Sequence, residues 1–467
     1  MDTSFILKES TYKELKKHLY PGSNLEFAAI MFCHYGQGKA GFRLIVKDLI
    51  LIPADKCNEQ TSNYLSWAFS EYMTPEKIEQ IDKEGLSVFT IHSHPNGYDR
   101  FSKTDDKNDK EMFHAINHWF DDGRPNGSAI MLPNGRIISR IVCNKEKFSP
   151  VQKVSVIGEN IKIWQQYRKK DTIPSYGLRV SQTFGKGTFN LLRELKVGVV
   201  GCSGTGSIVV ELLMRNCVGQ LVLVDPDVVE EKNLNRIINA KKIDAEEKIY
   251  KVETLKKAIL ETGIDIQVDT YIKDTNNKEV IEALTDCDVI FGCVDSATGR
   301  YHLECIATAY FIPFFDIGVN LEADSKGGIT HADVAAHYIH PESSSLIARG
   351  VYTIEQLTAE GWQKNDKDYY EKNRMAGYLE AVGEDQPAVI SVNMQAACLG
   401  FNDFLARLHK FRLDDNSQFN IQRFQLVHGH YLNEKGEEES SPIFKKYLGM
   451  GEKSFLIQNL KRSKDNH

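Results

Sequence analysis

Residues 197–214 read VGVVGCSGTGSIVVELLM: a short β-branched apolar run, then Gly201, Gly204 and Gly206, then apolar positions at helical spacing. That order predicts a buried strand, a tight turn and a helix, and such a turn suits a nucleotide phosphate. Glycine lets the backbone approach phosphate oxygens, and the free N–H groups and positive dipole end of the helix supply the attraction. A second buried strand, LVLVDPD at 221–227, brings Asp225 and Asp227 to where an acid reaches a ribose. Asn233, Arg236 and Lys251 follow, a polar anchor and two cations at the same strand ends. Hydride transfer has little use for fixed cations there. Nucleotidyl transfer does, because charge builds on the phosphates as pyrophosphate leaves. The third strand, DVIFGCVDSATGR at 288–300, delivers Asp295 to that edge as a magnesium ligand.

Taken together, these residues resemble the ThiF/MoeB family, the adenylating core shared with ubiquitin-activating enzymes. The family pattern is G-x-G-G-x-G-S, D-x-D-x5-N-L-x-R, a lysine ahead of a helix, and D-x-x-x-x-R. It is matched from Gly201 to Arg300, with Ser203 in place of one glycine. The resemblance implies an α/β, Rossmann-like adenylation domain that uses ATP and Mg2+. It also implies that Arg179, in GLRVSQTFGKGTFNLLRELK (177–196), reaches into a partner protomer's nucleotide site, hence a homodimer. The chain departs from its relatives in two respects. Many of them hold a structural zinc in two C-x-x-C pairs. The first would fall at Pro341–Ala348 and the second at Ser441–Phe444, and neither stretch has a cysteine. Ubiquitin-activating enzymes also carry a catalytic cysteine in the crossover, yet Ile306 to Ala397 has none. Cys398 lies in an amphipathic helical stretch and is expected to be core, and Cys202 is expected in the glycine turn for its size. The crossover offers only hydroxyls, Ser343, Ser344, Ser345 and Thr353. Either one of them forms an oxyester, or the adenylate passes directly to a separate carrier.

The second informative stretch is LSVFTIHSHPNGYDRFSKTDDKNDKEMFHAINHWF, residues 86–120. Residues two apart in a strand share a face, so His92 and His94 present both imidazoles together. Pro95 and Gly97 end the strand, and Ser102-x-x-Asp105 opens a helix as a capping box. Two neutral nitrogens and one carboxylate leave the fourth zinc position to water, the mark of a catalytic site. The pattern HxH, seven residues, S-x-x-D resembles the JAMM (JAB) metalloproteases, which remove ubiquitin-like proteins or trim their tails. The resemblance implies Zn2+ on His92, His94 and Asp105, Glu26 as general base at the start of the expected strand EFAAIMFCHY (26–35), and Ser102 steadying the oxyanion. His114 and His118, four apart on the helix, gain no third ligand and read as a solvated face. Cys33 reads as core.

The chain has 467 residues, 42% of them hydrophobic, and a net charge of −7 with both signs mixed. That is ordinary for globular protein, with no basic face for nucleic acid and no stretch apolar enough to span a membrane. Nine cysteines without a C-x-x-C pair suggest free thiols in a reducing compartment, so a cytoplasmic location is expected. The start carries no signal-peptide pattern. Helices are expected over 8–20 and 74–83, strands over 41–53, and a hairpin from 128 to 143 that closes the first domain. The expected organisation is a JAMM-type α/β metalloprotease domain at 1–150, a linker at 151–172 and the ThiF-like domain at 173–467. Such a pairing resembles bacterial ubiquitin-like conjugation systems, some tied to antiphage defence. The expected partners are a ubiquitin-like protein and a separate conjugating enzyme. The alternatives are sulfur-carrier activation for cofactor biosynthesis, and a scaffold that binds a ubiquitin-like protein without catalysis.

Overall fold

A computed structural model describes residues 3–38, 41–143, 147–166, 172–324, 326–375, 387–436, 442–452 and 456. The chain forms two compact units, Met1–Lys169 with Gly449–Glu452, and Lys170–Leu448 with Lys453–His467.

The first unit runs β1 (Ser4–Lys8), α1 (Glu9–Leu19), β2 (Ala28–Gln37), β3 (Phe42–Leu51), a small hairpin of β4 (Cys57–Gln60) and β5 (Leu65–Trp67), then α2 (Pro75–Lys83) and β6 (Ser87–Ser93). It continues through α3 (Lys103–Trp119), β7 (Gly127–Met131), β8 (Ile137–Cys143), β9 (Lys147–Pro150), β10 (Lys153–Ile157) and β11 (Ile161–Gln165). Nine strands form one sheet in the order β11-β10-β1-β3-β2-β6-β7-β8-β9. Strand β2 is apolar on both faces because both are covered. Ala29, Met31 and Cys33 join the core under α1, while Ala28, Ile30 and Phe32 join the core built with Phe113 and Ile116 of α3. The expected helices, strands and hairpin form, with Thr74 capping α2 through the Lys77 N–H. His114 and His118 are exposed on α3.

The expected linker is corrected. Residues 153–165 supply two strands of this sheet, β10 pairing in parallel with β1 and antiparallel with β11. The alternating stretch KVSVI is a strand whose partner, β1, lies at the other end of the unit's sequence. Of that expected linker, residues 167–171 lie outside the described residues, as do Ser441 of the expected second cysteine-pair position and 376–386 of the crossover.

The second unit begins with α4 (Leu178–Leu192) and β12 (Lys196–Val200), α5 (Gly204–Arg215), β13 (Gln220–Val224), α6 (Lys242–Glu246), α7 (Lys251–Glu261), β14 (Gln267–Tyr271), α8 (Lys278–Thr285), β15 (Val289–Gly292) and α9 (Ala297–Tyr310). It goes on with β16 (Phe314–Ala323), β17 (Ile329–Ile339), the crossover helices α10 (Ile354–Asn365) and α11 (Lys367–Met375), α12 (Ile390–Leu408), β18 (Ile421–Gln425) and β19 (His430–Glu434). The sheet order is β14-β13-β12-β15-β16-β17-β18-β19, parallel from β14 to β16 and antiparallel beyond. The chain leaves β12 toward β13 and β14 on one side, then returns to β15 on the other. That reversal opens a crevice at the carboxyl ends of the strands, where ligands of such sheets bind.

Helix α12 buries Asn393, Ala396, Ala397, Gly400, Phe401 and Phe404, spaced by three or four. Cys398 falls off that stripe and is exposed, which corrects its expected core position. Cys33 and Cys202 are buried as expected.

Glu304, on α9, is buried and ties down the start of the crossover. Its carboxylate accepts the Leu346 N–H at 2.8 Å and the Tyr352 hydroxyl at 2.9 Å. Burial pushes it from 4.5 up to about 8. The folded state therefore holds a proton that the unfolded chain has released. The Glu304 contribution is complete below about pH 4.5 and is lost as pH rises toward about 8. Wild-type stability is expected to fall relative to Glu304→Gln across that window, with a slope of about 1.4 kcal/mol per pH unit. Denaturant midpoints measured against pH check this, and parallel curves for the two proteins would contradict it.

Candidate functional site

In the first unit, β6 carries His92 to its end and the chain turns immediately after His94. The two Nε2 atoms lie 3.0 Å apart. Asp105 Oδ1 is 3.4 Å from His92 Nε2, and Oδ2 is 3.6 Å from His94 Nε2. One ligand atom from each of the three residues falls within 4.8 Å of the others, and no other such cluster occurs among the described residues. His94 Nδ1 meets the Tyr98 carbonyl at 2.7 Å, so Nδ1 bears the proton and Nε2 offers its lone pair. With both imidazoles neutral, two ring nitrogens and a carboxylate converge on one point, a donor set that fits a metal ion. Burial pushes Asp105 up, but bonds and charge from His92 and His94, with the Ser102 N–H, outweigh it and hold the carboxyl well below the usual range. Burial lowers His94, while Asp105 and the Tyr98 carbonyl raise it more.

The capping box forms as expected. Ser102 Oγ accepts the Asp105 N–H at 3.1 Å, and Asp105 Oδ2 accepts the Ser102 N–H at 2.6 Å. Glu26 sits two residues ahead of β2, buried, its carboxyl raised by burial against the pull of His92 and His94. The β4–β5 hairpin holds its backbone, with the Glu26 N–H on the Thr61 carbonyl at 2.8 Å and Gln60 Nε2 on the Glu26 carbonyl at 2.7 Å. Asn96 Nδ2 donates to Asn63 Oδ1 at 2.6 Å, linking that hairpin to the turn after His94. None of these supports was legible in the sequence, because their partners are tens of residues apart and carry no motif.

In the second unit, Gly201 has φ +85°, and a Cβ there would lie 2.5 Å from the Cys293 carbonyl oxygen. A Cβ on Gly206 would lie 1.7 Å from the Gly201 oxygen, so the turn closes only with glycine at both. Gly204 is the first residue of α5. Asp225 is buried and accepts the N–H groups of Cys202 at 2.7 Å and Asp227 at 2.9 Å. Burial raises Asp225, with Lys251 opposing. Lys251 Nζ, also buried, lies 2.7 Å from Asp227 Oδ2 and 3.8 Å from Asp225 Oδ1. Asn233 accepts the Glu230 N–H and caps the turn that leads to Arg236. Arg236 donates to the Lys232 carbonyl at 2.8 Å. Asp295 is exposed just beyond β15, its carbonyl accepting Arg300.

The structure thus gathers Asp225, Asp227 and Lys251 beside the glycine turn, and places Asn233 and Arg236 after β13 and Asp295 after β15, the strands on either side of β12. Arg179 stands apart, exposed and bonded to Gln182 of its own helix. Sequence reading missed Glu360, which accepts the N–H groups of Ala297 and Thr298 at 2.8 Å each, and Asn393, which donates to Thr205 at 2.8 Å. The crossover hydroxyls are engaged locally. Ser343 exchanges bonds with the His340 backbone, Ser344 accepts Arg349, Ser345 accepts the Ala348 N–H and Thr353 caps α10. No helix among the described residues is long and apolar enough to cross a membrane.

Residues 8–135 match the family of prokaryotic homologs of the JAB domain, and residues 176–344 match the ThiF family. Adenylyltransferase and sulfurtransferase UBA4 of Meyerozyma guilliermondii is 31% identical over 131 residues, which is 28% of this chain and 30% of that protein. Ubiquitin-like modifier-activating enzyme 5 of Drosophila willistoni is 27% identical over 149 residues, 29% of this chain and 36% of that one. The chain thus spans about a third of the length of these curated relatives. Among solved structures, E. coli MccB with ATP is similar at a TM-score of 0.43 and 15% identity, over 58% of this chain and 74% of that one.

Proposed function

We propose that this chain, a JAB-type domain followed by a ThiF-type domain, acts on a ubiquitin-like protein at two sites within a bacterial ubiquitin-like conjugation system. The first site hydrolyses the amide bond that follows the ubiquitin-like C-terminus, whether in a precursor tail or in a link to a target. The second adenylates the carboxylate set free. The observation that carries the reading is the convergence of His92, His94 and Asp105 within 4.8 Å, with Glu26 buried nearby.

A zinc ion on those three residues would supply a Lewis acid and bring the pKa of a water near neutrality. Glu26 takes the proton released in the attack and returns it to the departing amine. Ser102 accepts the Asp105 N–H through its oxygen, so its own proton remains to donate to the oxyanion.

In the second unit, an oxygen of the C-terminal carboxylate bonds to the α-phosphorus of ATP, and the bond to the bridging oxygen breaks. Pyrophosphate leaves with the electron pair, and an acyl-adenylate remains. The glycine turn binds phosphate. Asp225 is committed to two backbone N–H groups, which leaves exposed Asp227 to face the ribose. Lys251 and Arg236 meet the growing phosphate charge, Asn233 holds their loop, and Asp295 is the residue to hold Mg2+. Arg179 acts from a second copy in a homodimer. Because Ser343, Ser344, Ser345 and Thr353 already serve caps and turns, a nucleophile of a separate conjugating enzyme attacks the acyl carbon directly, and the bond to the phosphate oxygen breaks as AMP leaves.

The full chain with its ubiquitin-like protein is expected to catalyse ATP–pyrophosphate exchange, to hold one zinc that is lost in His94→Ala, and to form no base-labile adduct on a denaturing gel. Zinc that persists in His94→Ala, or nucleotide chemistry with NAD in place of ATP, would overturn the reading. A base-labile adduct lost when Ser343, Ser344 and Ser345 become alanine would overturn the direct transfer.

A further inference from the structure

We propose that Arg140 is the positioning residue of the metal site, the group that fixes Asp105 and Ser102 against the histidine strand. The inference rests on the reading of His92, His94 and Asp105 as zinc ligands. Arg140 of β8 stands opposite Ser128 of β7, which stands opposite Thr90 of β6, two residues from His92 on the same face. It is only 6% exposed. Its guanidinium lies between the rings of Phe101 and Phe148, 3.7 Å from each centroid. Nη1 donates to Asp106, Nη2 to Asp109 at 2.6 Å, and Nε to both Asp109 and Ser128 at 3.1 Å. Ser128 also donates to Asp109.

The sequence positions of these partners give the arrangement its meaning. Phe101 immediately precedes Ser102, Asp106 immediately follows Asp105, and Asp109 lies one helical turn further along the same face. One buried cation therefore grips the chain on both sides of the turn that presents the carboxylate ligand. His92 is held by sheet hydrogen bonds on both flanks of β6. Asp105 belongs to a helix and has no such ladder to the sheet, so its distance from the histidines depends on side chains that bridge the two. A ligand set must be held within about 0.5 Å to act, and this network is the bridge. Lysine in place of Arg140 would keep the charge but lose the planar fork and the stacking.

Zinc affinity of the full chain, measured by competition with a chromophoric chelator, tests this without reliance on activity. Arg140→Lys is expected to weaken zinc binding by about 10- to 100-fold, the usual cost of losing a support of metal ligands. Asp106→Asn, which removes one arm at a side chain 44% exposed, should weaken it in the same direction and keeps the test open if Arg140→Lys fails to fold. Arg124 is a matched control. It is equally buried, ion-paired with Asp82 and Asp122, and lies over Phe120 at 4.3 Å. Arg124→Lys should lower the melting temperature yet leave zinc affinity unchanged. Wild-type affinity in both Arg140→Lys and Asp106→Asn, or an equal loss in Arg124→Lys, overturns the positioning role while the ligand assignment stands. Zinc that is absent from wild type, or retained by His94→Ala, overturns the ligand assignment itself and the inference with it.

Discussion

Replacing Glu26 with alanine is expected to lower amide-bond cleavage by about 10²- to 10⁴-fold, the usual loss when a positioned general base is removed, while zinc stays bound at one per chain. Glu26 is not among the three convergent donors, so on the proposed mechanism its loss takes away a proton acceptor and no ligand. Its position depends on backbone bonds to Thr61 and Gln60, and these survive the substitution because they involve the main chain of residue 26. The mutant should fold with its ligand set intact. The checks are a cleavage assay on a ubiquitin-like protein with a tail or an isopeptide-linked target, and metal analysis of the same preparation. Cleavage unchanged in the mutant would remove Glu26 from the mechanism. Zinc lost along with cleavage would make it a structural support of the ligands instead.

The second large effect is expected at Lys251. Lys251→Ala should reduce ATP–pyrophosphate exchange by about a hundredfold or more, in the range for loss of one preorganised group aimed at transition-state charge. Lys251 is buried between Asp225 and Asp227. Those carboxylates hold its ammonium beside the glycine turn, where Asp225 also accepts the Cys202 N–H; on the proposed reading this limits the reorganisation needed when phosphate charge develops. Substitution also leaves buried Asp225 without its nearest cation, so some loss of stability is expected as well. Lys251→Met fills the space without charge and separates the two effects. Exchange should fall as far as in the alanine variant while more of the stability returns. Full exchange activity in either variant would mean that the charge at residue 251 does not serve the reaction.

The glycine turn, its flanking strand and helix, and the acids and cations after it were legible in the sequence because each depends on a local rule. Only glycine at 201 and 206 lets the turn close, and a short β-branched run such as LVLV, bounded by Gly219 and Pro226, suits a buried strand. The capping box at Ser102 and Asp105 is equally local, with all its partners within four residues, so spacing alone announces it. The sequence is silent where a partner is distant. The stretch at 153–165 looks like a connector until β1, some 150 residues earlier, pairs with it, since a strand's identity lies in its neighbour as much as in its own pattern. Cys398 looks like core until the packing of α12 decides which stripe faces the sheet. The same holds for the work done by individual side chains. The residue types of Asp225 and Asp227 are alike in the sequence, but burial and two backbone N–H groups commit the first to the turn and leave the second exposed. Arg140 and Glu360 carry no motif, because a salt bridge or a cap formed across long chain separation leaves no spacing to read. The sequence by itself determined two domain types, the order of their strands and helices near each candidate site, and the residue types gathered there. Only the tertiary structure decided which carboxylates are buried and which exposed, which hydroxyls are already bonded, and which side chains tie the convergent His92, His94 and Asp105 to the rest of the fold, because those depend on burial and on contacts that chain order does not encode.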